Sequence, residues 1–327
     1  MTDLTVVPPP VRAFLEAARA APPELLTVAE QRLFMRRGSD RNYLRFGRRG
    51  EPVAAVTDHE VSVDGGAIRV RAYRPTSEDR LPVHVFLHGG GWWLGSIDEY
   101  VNDALCRHRG NHARCVVLAV DYRLAPEHPF PTAINDTRAV LRWVVANADL
   151  LGVDPDIMSI GGHSAGGNLA AAVAMACRDA GGPKLVFQLL EVPALDLTRS
   201  AMRSALEADE FQPLRLDASE ADSAVQHYLP DPGQARSILA SPLLAGDLSG
   251  LPPAHVMTAE LDPLREEGER YARRLAAAGV PASARRCPQA IHSTSFLTRT
   301  WPPARDWLDT AADVLRAAHE RADGTLT

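Results

Sequence analysis

Cysteine is scarce in this chain of 327 residues, and its few cysteines do not suit a disulfide framework or a zinc site. They form no Cys-x-x-Cys pair, and the histidines are not spaced around them as zinc ligands. We therefore expect free thiols in a reducing compartment, and no metal site. The four cysteines are Cys106, Cys115, Cys177 and Cys287.

The chain also lacks a strong excess of either charge and any long apolar run. Its 35 Lys and Arg against 41 Asp and Glu give a net charge of −6 without a basic face, which argues against a nucleic-acid partner. No apolar stretch approaches a membrane span, and residues 1–10 lack the pattern of a secretion signal. We expect a cytoplasmic protein without membrane insertion that acts on a small neutral or apolar molecule. Whether it forms a homodimer stays open.

Strand-like and helix-like segments alternate along most of the chain. Residues 53–73 show the period-two pattern of a hairpin around a turn at 64–66. The alternation that follows predicts an α/β domain with a mostly parallel sheet of about eight strands and helices on both faces. The later strands are predicted at 83–87, 115–120, 157–160, 185–190, 254–258 and 282–286, and the helices at 98–109, 132–148, 168–180, 263–278 and 304–318.

Two segments stand outside this alternation. Residues 1–50 contain two amphipathic helical pieces, at 11–21 and 24–37, with a break at the prolines 22 and 23. Residues 197–240 are polar, with one helical stretch near 216–228. We expect N-terminal cap helices over 1–50 and a catalytic domain over 51–327. A cap insertion at about 197–230 is expected to cover the carboxyl ends of the strands.

Residues 162–166 read Gly-His-Ser-Ala-Gly between an apolar segment and an Ala-rich helix. A serine that leaves a strand and enters a helix at once is held at strained dihedral angles, and the residues two positions away must lack side chains. Gly162 and Gly166 satisfy that demand. The pattern predicts a nucleophile elbow with Ser164 as the nucleophile.

The sequence His-Gly-Gly-Gly at 88–91 directly follows a predicted strand. Consecutive glycines let backbone N–H groups turn toward one point, as the stabilisation of a developing oxyanion requires. A plain loop and a phosphate-binding loop are the alternatives, but no Lys-Ser or Lys-Thr follows the glycines. The expected oxyanion-hole donors are the amides of Gly89, Gly90, Gly91 and Ala165.

A family resemblance rests on four blocks: His-Gly-Gly-Gly at 88–91, Asp-Tyr-Arg-Leu-Ala-Pro-Glu-His-Pro-Phe-Pro at 121–131, Gly-His-Ser-Ala-Gly-Gly at 162–167, and Leu-Asp-Pro-Leu-Arg-Glu-Glu-Gly at 261–268. In these blocks the chain resembles the hormone-sensitive-lipase-like, HGGG-motif carboxylesterases of the α/β-hydrolase superfamily. The resemblance implies an α/β-hydrolase fold with a helical cap, ester hydrolysis without a cofactor, and a triad in the chain order Ser, Asp, His. It also implies a cap built from the N-terminus and from an insertion after the sixth strand.

Asp262 follows the strand predicted at 254–258, within the block that looks like the family's acid motif. A triad acid belongs at the carboxyl end of a sheet strand, so we favour Asp262 over Glu260 and Asp196. Asp262 also suits a helix N-cap, since Pro263 fits a first helical turn. The two roles are compatible.

His292 lies after this acid, in the loop between the last predicted strand and the last helix. That position predicts the general base, whereas His255 lies within a strand and His319 within the final helix. The family generally has Gly and Phe right after this histidine, but residues 293–295 intervene here. His163 is a second departure, because the family usually has Asp or Thr there. We expect it to be buried and hydrogen-bonded, with substrate contact or an effect on the pH profile as the alternative.

Trp92 and Trp93 are candidates for lining the substrate pocket, with core packing as the alternative. The aromatic content of 6% and the lack of an amphipathic lid favour short-chain or aryl esters over lipids. The predicted function is a serine carboxylesterase that forms an acyl-enzyme on Ser164, with His292 as base and Asp262 as its orienting acid.

Two alternatives stay open. One is an amide, lactone or secondary-metabolite acyl hydrolase with the same triad, because the same groups attack any activated carbonyl. The other is a non-hydrolytic binder or lyase on the same fold. That use is usually marked by the loss of a triad residue, and all three are present in the sequence.

Overall fold

The computed structural model describes residues 7–18, 26–78, 80–200 and 218–326, in which eight strands form one sheet. The strands are β1 (Ala55–Val63), β2 (Gly66–Arg74), β3 (Leu81–Leu87), β4 (Val116–Val120), β5 (Val153–His163), β6 (Phe187–Glu191), β7 (Ala254–Leu261) and β8 (Ala282–Ile291). Their order across the sheet is β1-β2-β4-β3-β5-β6-β7-β8. β2 runs antiparallel to β1 and to β4, and the other neighbours pair in parallel. The predicted mostly parallel sheet is confirmed.

Helices cover both faces of this sheet, as predicted. They are α1 (Pro9–Ala18), α2 (Val28–Phe46), α3 (Tyr100–Ala113), α4 (Thr132–Ala146), α5 (Ala148–Leu151), α6 (Ala165–Ala180), α7 (Ala218–Tyr228), α8 (Arg265–Ala277) and α9 (Pro302–Ala322). Side chains of α4, α6 and α8 share one hydrophobic cluster with the sheet. Those of α1, α2, α3 and α9 share a second cluster with it. The sheet is thus a layer between two apolar cores.

Burial explains why the central strands are apolar throughout. β4 reads Val-Val-Leu-Ala-Val and is buried at every position, because helices cover it on both faces, whereas the edge strand β1 is mostly exposed. The parallel strands β3, β5, β7 and β8 all end at the same edge of the sheet. That edge therefore carries the glycine loop, Ser164, Asp262 and His292.

The second cap helix is longer than predicted. α2 begins after a capping box at Thr27 and runs to Phe46, beyond the predicted end at residue 37. Its last turn is held by aromatic packing, since the ring of Phe46 meets the ring of Phe14 of α1 edge to face at 5.6 Å. Burial of aromatic side chains thus extends a helix whose sequence is mostly polar.

The cap insertion is described only in part. α7 confirms the predicted helical stretch, while residues 201–217 lie outside the described residues, as do the predicted proline break and its neighbours at 19–25. The division into cap helices over 1–50 and a catalytic domain over 51–327 stays a prediction.

Two expectations drawn from the composition concern the cysteines and membrane-spanning helices. The cysteines are free thiols. Burial raises the pKa of Cys115 to about 12 and raises that of Cys106 as well, so both thiolates are strongly disfavoured. In the described part of the chain, no helix combines the length and the hydrophobicity of a membrane span.

Candidate active site

Ser164 lies at the sharp turn between β5 and α6. Its φ of 57° and ψ of −116° are strained for a residue with a side chain, as a nucleophile elbow requires. A Cβ atom on Gly162 or on Gly166 would collide with the carbonyl oxygen of Leu87, so both glycines are required sterically. The Ser164 amide donates to the carbonyl of Glu191 at 2.9 Å, which fixes the elbow against β6.

The structure brings the three predicted triad residues into one hydrogen-bonded series. His292 directly follows β8, and its Nε2 lies 2.9 Å from Ser164 Oγ. The other ring nitrogen, Nδ1, lies 2.7 Å from Oδ2 of the buried Asp262. Asp262 Oδ1 accepts from the amide of Leu264 at 3.0 Å. The suggested N-cap role of Asp262 is wrong, because α8 begins at Arg265 with Leu264 as its N-cap and without a side-chain cap.

The other two acids considered from the sequence, Asp196 and Glu260, form hydrogen bonds with backbone amides. Oδ1 of Asp196 accepts from the Thr198 amide at 3.0 Å. Oε2 of Glu260 accepts from the Gln289 amide at 2.7 Å. Among these carboxylates, Asp262 is the one bonded to His292.

Electrostatics distinguish His292 from the neighbouring imidazole of His163, whose ring centroid lies 5.4 Å away. Burial alone would lower the pKa of His292, but the charge and hydrogen bond of Asp262 raise it above its ordinary value. Burial, followed by the adjacent His292, lowers the pKa of His163 to about 3. His292 is therefore the imidazole that can gain and stabilise a proton next to Ser164.

The glycine loop lies beside the nucleophile. A Cβ on Gly89 would lie 3.5 Å from Ser164 Cβ, and Gly91 lines the cavity over the serine. The Gly90 carbonyl accepts from the Leu94 amide at 2.8 Å, which curls the loop. Ala165 is buried at the first position of α6. Gly89, Gly91 and Ala165 thus lie next to Ser164.

Aromatic packing supports the base of this loop. The buried ring of His88 stacks on Tyr122 with centroids 4.3 Å apart, and Tyr122 Oη donates to the His88 carbonyl at 2.8 Å. Tyr122 belongs to the block at 121–131, which gives that block a structural connection to the glycine loop.

A cap residue also binds the loop. Arg32 of α2 donates from Nε to the carbonyl of Trp93 at 2.7 Å and from Nη2 to the carbonyl of Ala125 at 2.5 Å. Its guanidinium also forms two hydrogen bonds with the Glu127 carboxylate, at 2.6 and 2.9 Å. Helix α2 is therefore hydrogen-bonded to the segment that follows the glycines and to the block at 121–131.

A cavity of about 410 Å³ opens over Ser164, His292 and Asp262. Trp92 lines it, as expected, and its ring stacks on Tyr228 of α7 with centroids 4.7 Å apart. Trp93 follows the alternative of core packing: it is not among the residues that line the cavity, it packs against the first hydrophobic cluster, and its ring lies 4.5 Å from that of His227. The backbone turns between the two tryptophans, since Trp92 has a φ of 63°.

Several lining residues were not identified from the sequence. Leu15 of α1 and Ala224 and Val225 of α7 form the cap side of the cavity. Glu267 lies deeper, where its Oε2 accepts from the amides of Leu195 and Asp196, and burial raises the pKa of its carboxyl group to about 8. The position of Glu267 within the acid motif at 261–268 was the available signal, whereas the cap residues carry none.

The chain is similar to several known proteins. A family model described as the alpha/beta hydrolase fold matches residues 84–296. The carboxylesterase NlhH of Mycobacterium tuberculosis is 44% identical over 246 residues, covering 74% of this chain and 76% of that protein. The arylesterase of Saccharolobus solfataricus is 39% identical over 252 residues, covering 76% of this chain and 80% of that protein. The structure of a hyperthermophilic esterase from the archaeon Pyrobaculum calidifontis has a TM-score of 0.87 at 38% identity, covering 95% of this chain and 98% of that one.

Proposed function

Because this chain belongs to the α/β-hydrolase family and is a carboxylic ester hydrolase, we propose that Ser164, His292 and Asp262 form its catalytic triad. The observation that supports this proposal is the unbroken series from Ser164 Oγ through both ring nitrogens of His292 to Asp262 Oδ2. Ser164, the first residue of this series, lines a cavity that a substrate can enter.

The reaction proceeds in two steps of acyl transfer. His292 Nε2 accepts the hydroxyl proton as Ser164 Oγ attacks the ester carbonyl, and the imidazolium then protonates the departing alkoxide. Water, activated by the same imidazole, releases the acid from the acyl-enzyme. Asp262 keeps its charge throughout, holds the ring in the required tautomer and stabilises its cation.

The oxyanion hole is formed by the amides expected from the sequence. Amide donors aimed at a developing negative charge stabilise it, and the low dielectric of a buried site strengthens their effect. The glycine loop beside Ser164 supports a place within the hormone-sensitive-lipase-like, HGGG-motif branch of the family. The donors are the amides of Gly89, Gly90, Gly91 and Ala165.

The substrates are small carboxylic esters with a short acyl or an aryl group. The lining by Leu15, Trp92, Ala224 and Val225 is apolar, and a volume of about 410 Å³ suits a small organic molecule. The similarity to an enzyme named as an arylesterase supports the aryl group. A cytoplasmic location and a homodimer remain predictions.

A fluorophosphonate probe tests the triad. We expect the wild-type chain to gain one phosphonyl group, mapped to the peptide that contains Ser164, and the Ser164→Ala variant to gain none. A matched panel of p-nitrophenyl ester, anilide and lactone substrates separates ester hydrolysis from the alternative acyl transfers. Labelling of another residue, or equal labelling of the variant, would overturn the assignment of the nucleophile.

A further inference from the structure

A cluster of two imidazoles and a carboxylate lies on α3, apart from the triad. His108 and His112 are four residues apart on this helix, and their rings stack with centroids 4.1 Å apart. Glu51, in the segment between α2 and β1, reaches both rings. In the described part of the chain, these three side chains bring one ligand atom each to within 4.8 Å of one another.

The distances in this cluster fit a tetrahedral ion. Zinc bound to nitrogen and oxygen at about 2.0–2.1 Å places neighbouring ligand atoms about 3.3 Å apart. Glu51 Oε1 lies 3.2 Å from His108 Nδ1, and Glu51 Oε2 lies 3.1 Å from His112 Nε2. Glu51 Oε1 also lies 3.3 Å from His112 Nε2, so one carboxylate oxygen is at the distance of a neighbouring ligand from both ring nitrogens.

Outer contacts orient the ligands. Asp309 of α9 has its Oδ1 3.1 Å from His108 Nε2, which is an ion-pair distance, although this ring nitrogen makes no hydrogen bond. The charge of Asp309 favours a proton on Nε2, which leaves the Nδ1 lone pair facing Glu51. Asn111 Nδ2 donates to Glu51 Oε2 at 3.0 Å. Metal-bound histidines and carboxylates in proteins usually have such partners, which fix the ring tautomer and the direction of the lone pairs.

The surrounding charge is mixed. Arg48, Arg49 and Arg305 line the adjacent cavity of about 270 Å³, together with the two carboxylates of Glu51 and Asp309. The cations reduce the attraction for a divalent ion, whereas the carboxylates are the groups that contact the histidines. Binding is therefore governed by coordination to the imidazoles, which favours Zn²⁺ over Mg²⁺ or Ca²⁺.

We propose that Glu51, His108 and His112 form a zinc site, with water in the fourth position. The ion joins the segment that leads out of the cap helices to α3, and Asp309 extends the connection to α9. The site is separate from the proposed triad, because its ligands belong to elements other than the turn and loops that carry Ser164, Asp262 and His292.

Calorimetric titration of the chelator-treated protein with Zn²⁺ tests the proposal. We expect one ion per wild-type chain, loss of that binding in His112→Ala and Glu51→Gln, and retention in His128→Ala, which removes an exposed histidine outside the cluster. Asp309→Asn should weaken binding by about 10- to 100-fold, as for other outer partners of metal ligands. Absorption of bound Co²⁺ reports whether the coordination is tetrahedral.

Thermal unfolding provides a second readout. Zn²⁺ should raise the Tm of the wild type and of His128→Ala, and leave the Tm of His112→Ala unchanged. Esterase activity without zinc shows that each variant is folded, since the triad requires no metal. Absence of binding to the wild type, or equal binding by His112→Ala and Glu51→Gln, would show that the cluster is a hydrogen-bonded group only.

Discussion

Two serines on or next to strand β5 are hydrogen-bonded to histidine, but their surroundings differ. Ser159 lies within the strand, and Ser164 directly follows it. Ser159 Oγ lies 3.0 Å from His84 Nδ1 and 2.8 Å from His319 Nε2. Ser164 Oγ lies 2.9 Å from His292 Nε2. Hydrogen-bond length therefore does not tell a structural pair from a catalytic one.

The surroundings of the two serines do tell them apart. Ser159 and both of its imidazoles are buried, and burial lowers the pKa of His84 far below its ordinary value and that of His319 to about 3. Neither ring can hold a proton near neutral pH. At Ser164 the buried carboxylate of Asp262 raises the pKa of the imidazole, and a cavity gives access. The proposed nucleophile therefore differs from Ser159 in two ways: a carboxylate is bonded to its histidine, and a cavity gives a substrate access to its hydroxyl group.

Replacing each serine by alanine should produce the largest contrast. Ser164→Ala should lower kcat/KM for p-nitrophenyl acetate by at least about 10⁴-fold, because only the oxyanion hole and binding remain. Ser159→Ala should keep activity within a few-fold, yet lower the free energy of unfolding by about 1–3 kcal/mol, since two buried imidazoles lose their partner. Denaturant unfolding and initial rates measure both. Strong loss of activity in a folded Ser159→Ala variant would contradict the contrast.

The acid is the next distinction to test. Asp262→Asn should lower kcat by about 10⁴-fold, because the amide stabilises the wrong tautomer of His292 and removes the charge that supports its cation. Asp196→Asn is the matched control, as this second buried carboxylate lines the same cavity without contacting His292. Steady-state kinetics on one ester suffice. Similar losses in the two variants would mean that Asp262 is not the orienting acid.

The pH profile should report His292 and not the buried imidazoles. The base must be neutral to accept the serine proton, so kcat/KM should fall by about tenfold per pH unit below its pKa. Because that pKa is raised, the acid limb should lie above about 6.5, the ordinary value for histidine. Rates from pH 4.5 to 9 locate the limb, and His163→Asn should not move it far. A limb near 4 would implicate a different group.

The smallest predicted effect is a change in acyl-chain selectivity when the cavity above Ser164 is narrowed. Ala224 of α7 borders Gly91, since a Cβ on that glycine would lie 2.8 Å from Ala224 Cβ. Ala224→Leu should narrow the cavity and shift the ratio of kcat/KM for acetate over hexanoate esters on the order of tenfold, while acetate hydrolysis persists. Val145→Leu, on the exposed surface of α4, is the control. Equal loss for both acyl lengths would show that this part of the cap does not select substrate.

The proposed triad was predictable because each member follows a parallel strand and two of the three belong to short motifs. Trp92 was also expected in the cavity lining, whereas Leu15, Ala224 and Val225 were not, because they meet only after α1 and α7 have packed. The sequence could not decide between the cavity and the core for Trp93, since that choice depends on the backbone turn at Trp92.

The proposed metal cluster escaped notice for a similar reason. His108 and His112 have helical spacing in the sequence, but their common partner Glu51 lies more than 50 residues earlier in the chain. Asp309 is equally remote, and only the packing of α9 on α3 brings it near. Local sequence patterns therefore predict functional groups that lie within one turn. A site built from distant segments can be recognised only when the folded structure is known.

In chimeras built from relatives of this chain, the helix that carries Arg32 and the segments that Arg32 binds should be exchanged together. The partners of Arg32, the carbonyls of Trp93 and Ala125 and the carboxylate of Glu127, all lie outside the N-terminal helices. A chimera whose donor helix lacks an arginine at this position leaves two carbonyls without donors and one carboxylate without its cation. Libraries that exchange caps should therefore place their crossover so that the arginine and its three acceptors always come from the same parent.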